Sequence, residues 1–347
     1  MKILTIIGAR PQFVKAAVVS RAIRDASGIL EVLVHTGQHF DANMSDVFFN
    51  QMGIPKPDYL LDVHGGGHGD MTGRMMMALE PVMMSERPDI VLVYGDTNST
   101  LAGAVNAAKL QIPIAHVEAG LRSFDRHMPE EINRITADHL SDLLFAPTQL
   151  AVQNLANEGI RKGVHMVGDV MFDSTLFMME AAKRESTIVN DLGLAPGAFV
   201  LATLHRASTT DQDGSLAKAI DFLKSSAAGK IIVLPLHPRT RAAAKAQGVS
   251  LEQISVIDPV GPMDMHGLLA ACAAVYTDSG GVQKEAYFHK KPCVTIRETT
   301  EWIETIESGW NRLWTVPEYK SPRHDIPDYG LGKASEKIVL EISTFLR

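Results

Sequence analysis

Short runs rich in valine, isoleucine and leucine recur along the chain, separated by longer stretches of helical period: KILTII from Lys2, EVLVH from Glu31, IVLVY from Ile90, IAHV from Ile114 and LLFA from Leu143. The series resumes with FVLATL from Phe199, KIIVLPL from Lys230, ISVI from Ile254, AAVYT from Ala273 and CVTI from Cys293. Strands apolar on both faces and separated by helices belong to a parallel sheet covered on both sides. The pattern occurs twice and predicts an α/β chain of two Rossmann-like, doubly wound domains. A length of 347 residues, about twice one hydrophobic core, agrees with that. From His165 to Pro196 the periodicity weakens and NDLGLAPG supplies turn residues, which puts the boundary near Val167 to Asp173. We therefore read 1–168 as an N-terminal domain, 169–330 as a C-terminal domain and 331–347 as a closing segment, in which ASEKIVLEISTFLR has the pattern of an amphipathic helix.

Composition narrows the class. With 46% apolar and 21% charged residues the chain is an ordinary globular one. The 33 Lys and Arg against 40 Asp and Glu leave a net charge of −7 without a basic run, which argues against a nucleic-acid partner. Cys272 and Cys293 stand far apart in apolar surroundings and suit a reducing compartment rather than a disulfide scaffold. No stretch reaches the roughly 18 apolar residues of a membrane span, and the first apolar run is too short for a signal peptide. The expectation is a cytoplasmic protein with no membrane partner.

Open parallel sheets bind ligands beyond the carboxyl ends of their strands, and the polar clusters fall there. Gly8-Ala-Arg10-Pro-Gln-Phe-Val-Lys15 is a glycine turn opening a helix, with two fixed positive charges suited to an anion. No GxGxxG fingerprint is present, and GGGHGDMTG from Gly65 has neither the spacing nor a preceding strand, which argues against a dinucleotide fold of the NAD type. Asp96 in YGDTN, Glu118 in HVEAG and Glu130 in PEEINR put three carboxylates on neighbouring loops, accompanied by Arg122 and Arg134. Crowded carboxylates raise one another's pKa, a route to an acid and a base near neutral pH.

In the second half, His205-Arg206 and His237-Pro-Arg239 end successive strands and suggest a face for anionic oxygens. Asp211-Gln-Asp213 imitates a metal-holding DxD pair, but TTDQDGS has turn and N-cap composition, and without HExxH or CxxC spacing no metal is expected. In YTDSGGVQKEA, Ser279, Gly280 and Gly281 let backbone approach a phosphate at a helix start, and Gln283 and Glu285 lie within the first turns. Glu285 suits the two hydroxyls of a ribose. Trp302, Trp310 and Trp314 read as packing at a domain base or hinge.

Taken together these motifs resemble the non-hydrolysing UDP-N-acetylglucosamine 2-epimerases. GARPQFVK, TGQH, YGDTNST, HVEAGLRS, MPEEINR, LHR, PLHPR, TDSGGVQKEA and KPCVTIRETTEW occur in the family's order along nearly the whole chain. The resemblance implies a GT-B arrangement of two Rossmann-like domains facing a central cleft, with the last helix crossing back to the first domain. It implies reversible inversion at C2 of a UDP-2-acetamido sugar, by loss of UDP to a 2-acetamidoglucal and re-addition, with no cofactor. Position by position, Asp96, Glu118 and Glu130 match the catalytic carboxylates and His205 the essential histidine. Arg10, Lys15, His237, Ser279 and Gly280 match diphosphate contacts, and Glu285 the ribose acid. Arg122, Arg134, Arg206, Gly281, Gln283 and Arg297 lie in the same motifs as further substrate-binding candidates. A homodimer is implied on the same footing.

There are departures. The usual HRxEN reads His205-Arg-Ala-Ser-Thr209, and Gln38 is followed by Asp41 where regulated members carry a second glutamine. GARPQFVKA, QKEA and TEW are similar to the branch acting on UDP-2,3-diacetamido-2,3-dideoxyglucuronate; plain UDP-N-acetylglucosamine is kept as the lead substrate. The rivals are a hydrolysing epimerase, a GT-B glycosyltransferase, against which the carboxylate trio argues, and a non-catalytic nucleotide-sugar sensor.

Overall fold

The computed structural model describes residues 1–38, 51–212 and 214–347, and of Arg10 only the backbone. His39, Asp41 and Asp213 lie outside the described residues. The chain forms two compact units, Met1–Ser174 with Pro327–Arg347, and Thr175–Ile326.

In the first unit β1 (Lys2–Ile7), α1 (Arg10–Asp25), β2 (Leu30–His35), β3 (Tyr59–Leu60), α2 (His68–Glu86), β4 (Ile90–Tyr94) and α3 (Asn98–Lys109) are followed by β5 (Ile114–Val117), α4 (Pro129–Leu140), β6 (Leu143–Ala146), α5 (Gln149–Asn157) and β7 (Val164–Met166). Its seven strands are all parallel, in the order β3-β2-β1-β4-β5-β6-β7. Strand order reverses between β1 and β4, and beside that switch point lie the loops carrying Gly8, Asp96 and Glu118. Every residue of β4 is buried, as expected of a central strand covered on both faces.

The helix α6 (Val170–Glu185) contains the division between the units. The first unit keeps the chain to Ser174, not to 168, because Asp173 anchors the returning segment. Its carboxylate accepts from the backbone N–H groups of Ala334 and Ser335, at 3.1 and 2.8 Å, and from the Ser335 hydroxyl at 2.7 Å. These bonds satisfy the first turn of the closing helix Ala334–Phe345, which packs against α1. The return begins at Pro327 rather than 331: Asp169 N–H donates to the Tyr329 carbonyl at 3.1 Å and Gln149 N–H to Asp328 at 2.7 Å.

The second unit contains α7 (Ile188–Asp191), β8 (Phe199–Thr203), α8 (Ala207–Thr210), α9 (Ser215–Ser226), β9 (Ile231–Pro235), α10 (Pro238–Gln247) and β10 (Ile254–Ile257). It continues with α11 (Pro262–Ala271), β11 (Val275–Thr277), α12 (Gly280–Phe288), β12 (Cys293–Thr295), α13 (Ile303–Glu307) and β13 (Asn311–Leu313). Six parallel strands run β10-β9-β8-β11-β12-β13, so here the switch point lies between β8 and β11. His205 and Ser279 follow those two strands. Cys272 and Cys293 are buried free thiols, and burial pushes the Cys272 thiol up to about 12, out of reach of ionisation at neutral pH. Among the described residues no helix is long and apolar enough to cross a membrane.

Candidate active site

In the first unit the turn after β4 puts Gly95 at a φ of 60°. A Cβ there would stand 3.3 Å from Glu118 Oε2 and 3.4 Å from Lys15 Nζ, against the ends of both side chains. Glu118 itself takes a φ of 71°, a left-handed conformation that costs a non-glycine residue about 1 kcal/mol or more. The strain is held by the N–H groups of Glu118 and Ala119, each donating to the Phe145 carbonyl at 3.1 Å. Lys15, reaching out of α1, forms an ion pair with Glu118, and both line a cavity of about 10 Å³, close to the size of one water, with Phe145, Pro147 and Asp169.

Asp96 pairs with Arg134, which also holds Glu131 at 2.9 Å. Burial opposes the charge on Arg134, but Asp96, Glu131 and Glu118 more than offset it and hold the guanidinium above the ordinary arginine value. The Asn133 amide fixes the Asp96 carbonyl at 2.8 Å. The expected crowding of three carboxylates is therefore corrected. Asp96 and Glu118 each face a cation, Arg134 and Lys15. Glu130 is exposed in the first turn of α4, while its neighbour Glu131 is buried and ties down the Ser123 and Phe124 amides at 2.9 Å each.

Arg122 is corrected too. Its guanidinium lies inside the fold between Asp138 at 2.7 Å and Glu158 at 2.6 Å, which makes it a framework residue rather than a substrate contact. The same Asp138 accepts from His116 Nδ1 at 2.8 Å, and His116 Nε2 donates to the Gly95 carbonyl at 2.8 Å. Burial alone would raise the Asp138 carboxyl, but the bonds from His116 and Arg122 keep it below the usual carboxylate range. Through His116 the turns bearing Asp96 and Glu118 are tied to one buried network, a role sequence reading did not assign although the residue stands two places before Glu118.

In the second unit the turn after β8 is organised by Asp278, which is fully buried. Its carboxylate accepts from the N–H groups of His205 and Arg206, both at 3.0 Å, and lies 3.5 Å from His205 Nδ1. The His205 ring remains 42% exposed. His237 lies 5.9 Å from it, ring to ring, and its Nδ1 accepts from the Arg239 N–H at 3.2 Å, so Nε2 is the nitrogen that carries a proton. Sequence reasoning does not single out Asp278, although its place just before Ser279 is a signal for it.

At the start of α12, Ser279 makes no side-chain cap, and the first helical N–H groups, from Gly280 onward, have no intrahelical acceptor. Gln283 is corrected: it is buried and braces the loop, accepting from Thr300 at 2.6 Å and Asn311 at 3.2 Å. Arg297 and Arg206 flank Glu301, at 2.9 and 3.7 Å. The departures QKEA and TEW meet in space, since Lys284 Nζ lies 4.0 Å from the centroid of the Trp302 ring. Trp302 thus stands beside the cradle rather than at a hinge. The side chain of Arg10 lies outside the described parts. Among the described residues no group of three His, Cys, Asp or Glu is placed to hold a metal ion.

Burial pushes Glu285 up to about 7 from an ordinary 4.5, with Lys284 opposing. Its folded value is above its unfolded one, so the stability it contributes is full below about 4.5 and lost as the pH rises through about 7. The ribose role that the resemblance implies for Glu285 needs the ionised carboxylate, and it predicts UDP affinity weakening about tenfold per pH unit below about 7. Calorimetric titrations with UDP across that range, subtracting the profile of Glu285→Gln, isolate the effect; identical profiles for both proteins would remove Glu285 from ribose binding.

Two doubly wound parallel sheets, each with polar loops at its switch point, define an α/β chain of the GT-B class. The sequence profile of UDP-N-acetylglucosamine 2-epimerase matches residues 21–343, and the chain belongs to that family. It is 57% identical over 318 residues, 90% of this chain and 88% of the relative, to the UDP-2,3-diacetamido-2,3-dideoxy-D-glucuronate 2-epimerase of Pseudomonas aeruginosa. It is 41% identical to the UDP-N-acetylglucosamine 2-epimerase of Methanococcus maripaludis, over 97% of each chain. The crystal structure of the UDP-GlcNAc 2-epimerase of Methanocaldococcus jannaschii in complex with UDP-GlcNAc and UDP superposes with a TM-score of 0.90 at 38% identity, covering 99% of this chain and 100% of that one.

Proposed function

We propose that the protein catalyses reversible, non-hydrolysing epimerisation at C2 of a UDP-2-acetamido sugar. The observation that carries this is the pair of cation-held carboxylates, Asp96 and Glu118, on adjoining strand ends around Gly95. An ionised carboxylate takes the C2 proton; the C1–O bond breaks with its electrons passing to the diphosphate, and a C1=C2 double bond remains. Re-addition of UDP with proton delivery to the opposite face gives the epimer. General acid–base help of this kind contributes about 10²–10⁴-fold. Ser279, Gly280, His205 and His237 hold the departing diphosphate, Lys15 and Arg10 add positive charge, and Glu285 takes the ribose. The working assembly is a homodimer, carried over from the resemblance.

UDP-N-acetylglucosamine is the substrate in the family's name. A second reading has a specific support: the Pseudomonas aeruginosa relative, at 57% identity, acts by name on UDP-2,3-diacetamido-2,3-dideoxy-D-glucuronate, and the wording QKEA and TEW points the same way. Both substrates are offered to the purified protein in deuterium oxide without added metal or NAD. Exchange of the C2 hydrogen is expected, and the ratio of turnovers decides between the sugars. No exchange with either sinks the epimerase reading, and stoichiometric release of UDP with free sugar replaces it with the hydrolytic one.

A further inference from the structure

The indole of Trp302 is more than nine-tenths buried, yet Nε1 makes no hydrogen bond among the described residues. A buried indole N–H ordinarily finds an acceptor. This one faces the start of α12: a Cβ placed on Gly280 would stand 3.4 Å from Nε1. The backbone that carries the ring is fixed on both sides. Trp302 N–H donates to the Thr300 hydroxyl at 3.1 Å, that hydroxyl donates to Gln283 of α12 at 2.6 Å, and the Trp302 carbonyl accepts from the Thr305 hydroxyl at 2.7 Å. The ring face is covered by Lys284.

We infer that Trp302 is a ligand-binding residue whose indole N–H donates to an oxygen of the diphosphate held at the N-terminus of α12. The inference rests on the proposed UDP site and adds to it a side-chain donor beside the backbone amides of Gly280 and Gly281. Glu301 Oε1 also borders this Cβ position, and Arg297 and Arg206 flank its carboxylate. Lys284 lies behind the ring and Arg206 and Arg297 beside Glu301, so three cations border the opening. Glycine at 280 is required by this arrangement, because any side chain would enter the space between Glu301 and the indole.

The test uses the whole, ¹⁵N-labelled protein and UDP. Three indole N–H resonances are expected, and Trp302→Phe, which keeps a ring over Lys284 but removes the donor, identifies the third. On adding UDP the Trp302 resonance is expected to move downfield. The substituted protein should bind UDP about tenfold or more weakly, since a hydrogen bond to a charged oxygen is lost, and KM should rise more than kcat falls. An indole resonance that stays in place on saturation, or a Trp302→Phe protein with undiminished UDP affinity, overturns the inference and leaves the UDP site standing. Failure of the unsubstituted protein to bind UDP removes both. Should the substituted protein not fold, the titration of the unsubstituted one decides.

Discussion

Replacing Asp278 by asparagine is expected to lower kcat by about 10²-fold or more, the scale of a lost general acid–base or orienting group. The buried carboxylate receives two backbone N–H groups and stands next to His205 Nδ1. An asparagine offers one oxygen where two are in use and turns an N–H₂ group toward donors, so the His205-Arg206 turn loses its fixed geometry and the imidazole its anionic partner. Steady-state kinetics, with melting curves to confirm folding, check the size of the fall, and ¹⁵N shifts of the histidine ring report the tautomer. A folded Asp278→Asn protein with the kcat of the parent would take His205 out of the chemistry.

Asp96→Asn is the second severe change, with turnover expected to fall about 10³-fold. The carboxylate is one-third exposed and paired with Arg134, so part of it stays open to substrate. The amide cannot take a proton, and Arg134 keeps its ion pair with Glu131. UDP affinity is expected to change little, because Asp96 and the α12 cradle belong to different units. Measuring C2 hydrogen exchange and UDP binding on one preparation separates the two effects. Turnover within tenfold of the parent would move the base elsewhere, with Glu118 next in line.

Much of this is legible in the sequence. Strands apolar on both faces can only be covered on both sides, so FVLAT and IVLVY announced two parallel sheets, and strand ends then located Asp96, Glu118, His205 and Ser279. Charge pairing was not legible. Glu130 and Glu131 are adjacent and identical in type, and a helix starting at Pro129 turns one outward and the other into the fold. Arg122 looked like a ligand-binding cation because nothing local announces Asp138 or Glu158, sixteen and thirty-six residues on.

The order of residues along the chain was sufficient for element type, the double α/β architecture and the chemical class of the site, since periodicity and turn chemistry are local properties. Which polar groups face a ligand and which face one another is not local. His116 joining Gly95 to Asp138, Asp278 holding the turn of His205, and Trp302 meeting Lys284 and Gly280 each bring together residues from separate strands or helices. Such contacts exist only once the sheets have set the strand order and burial has driven most enclosed donors to an acceptor.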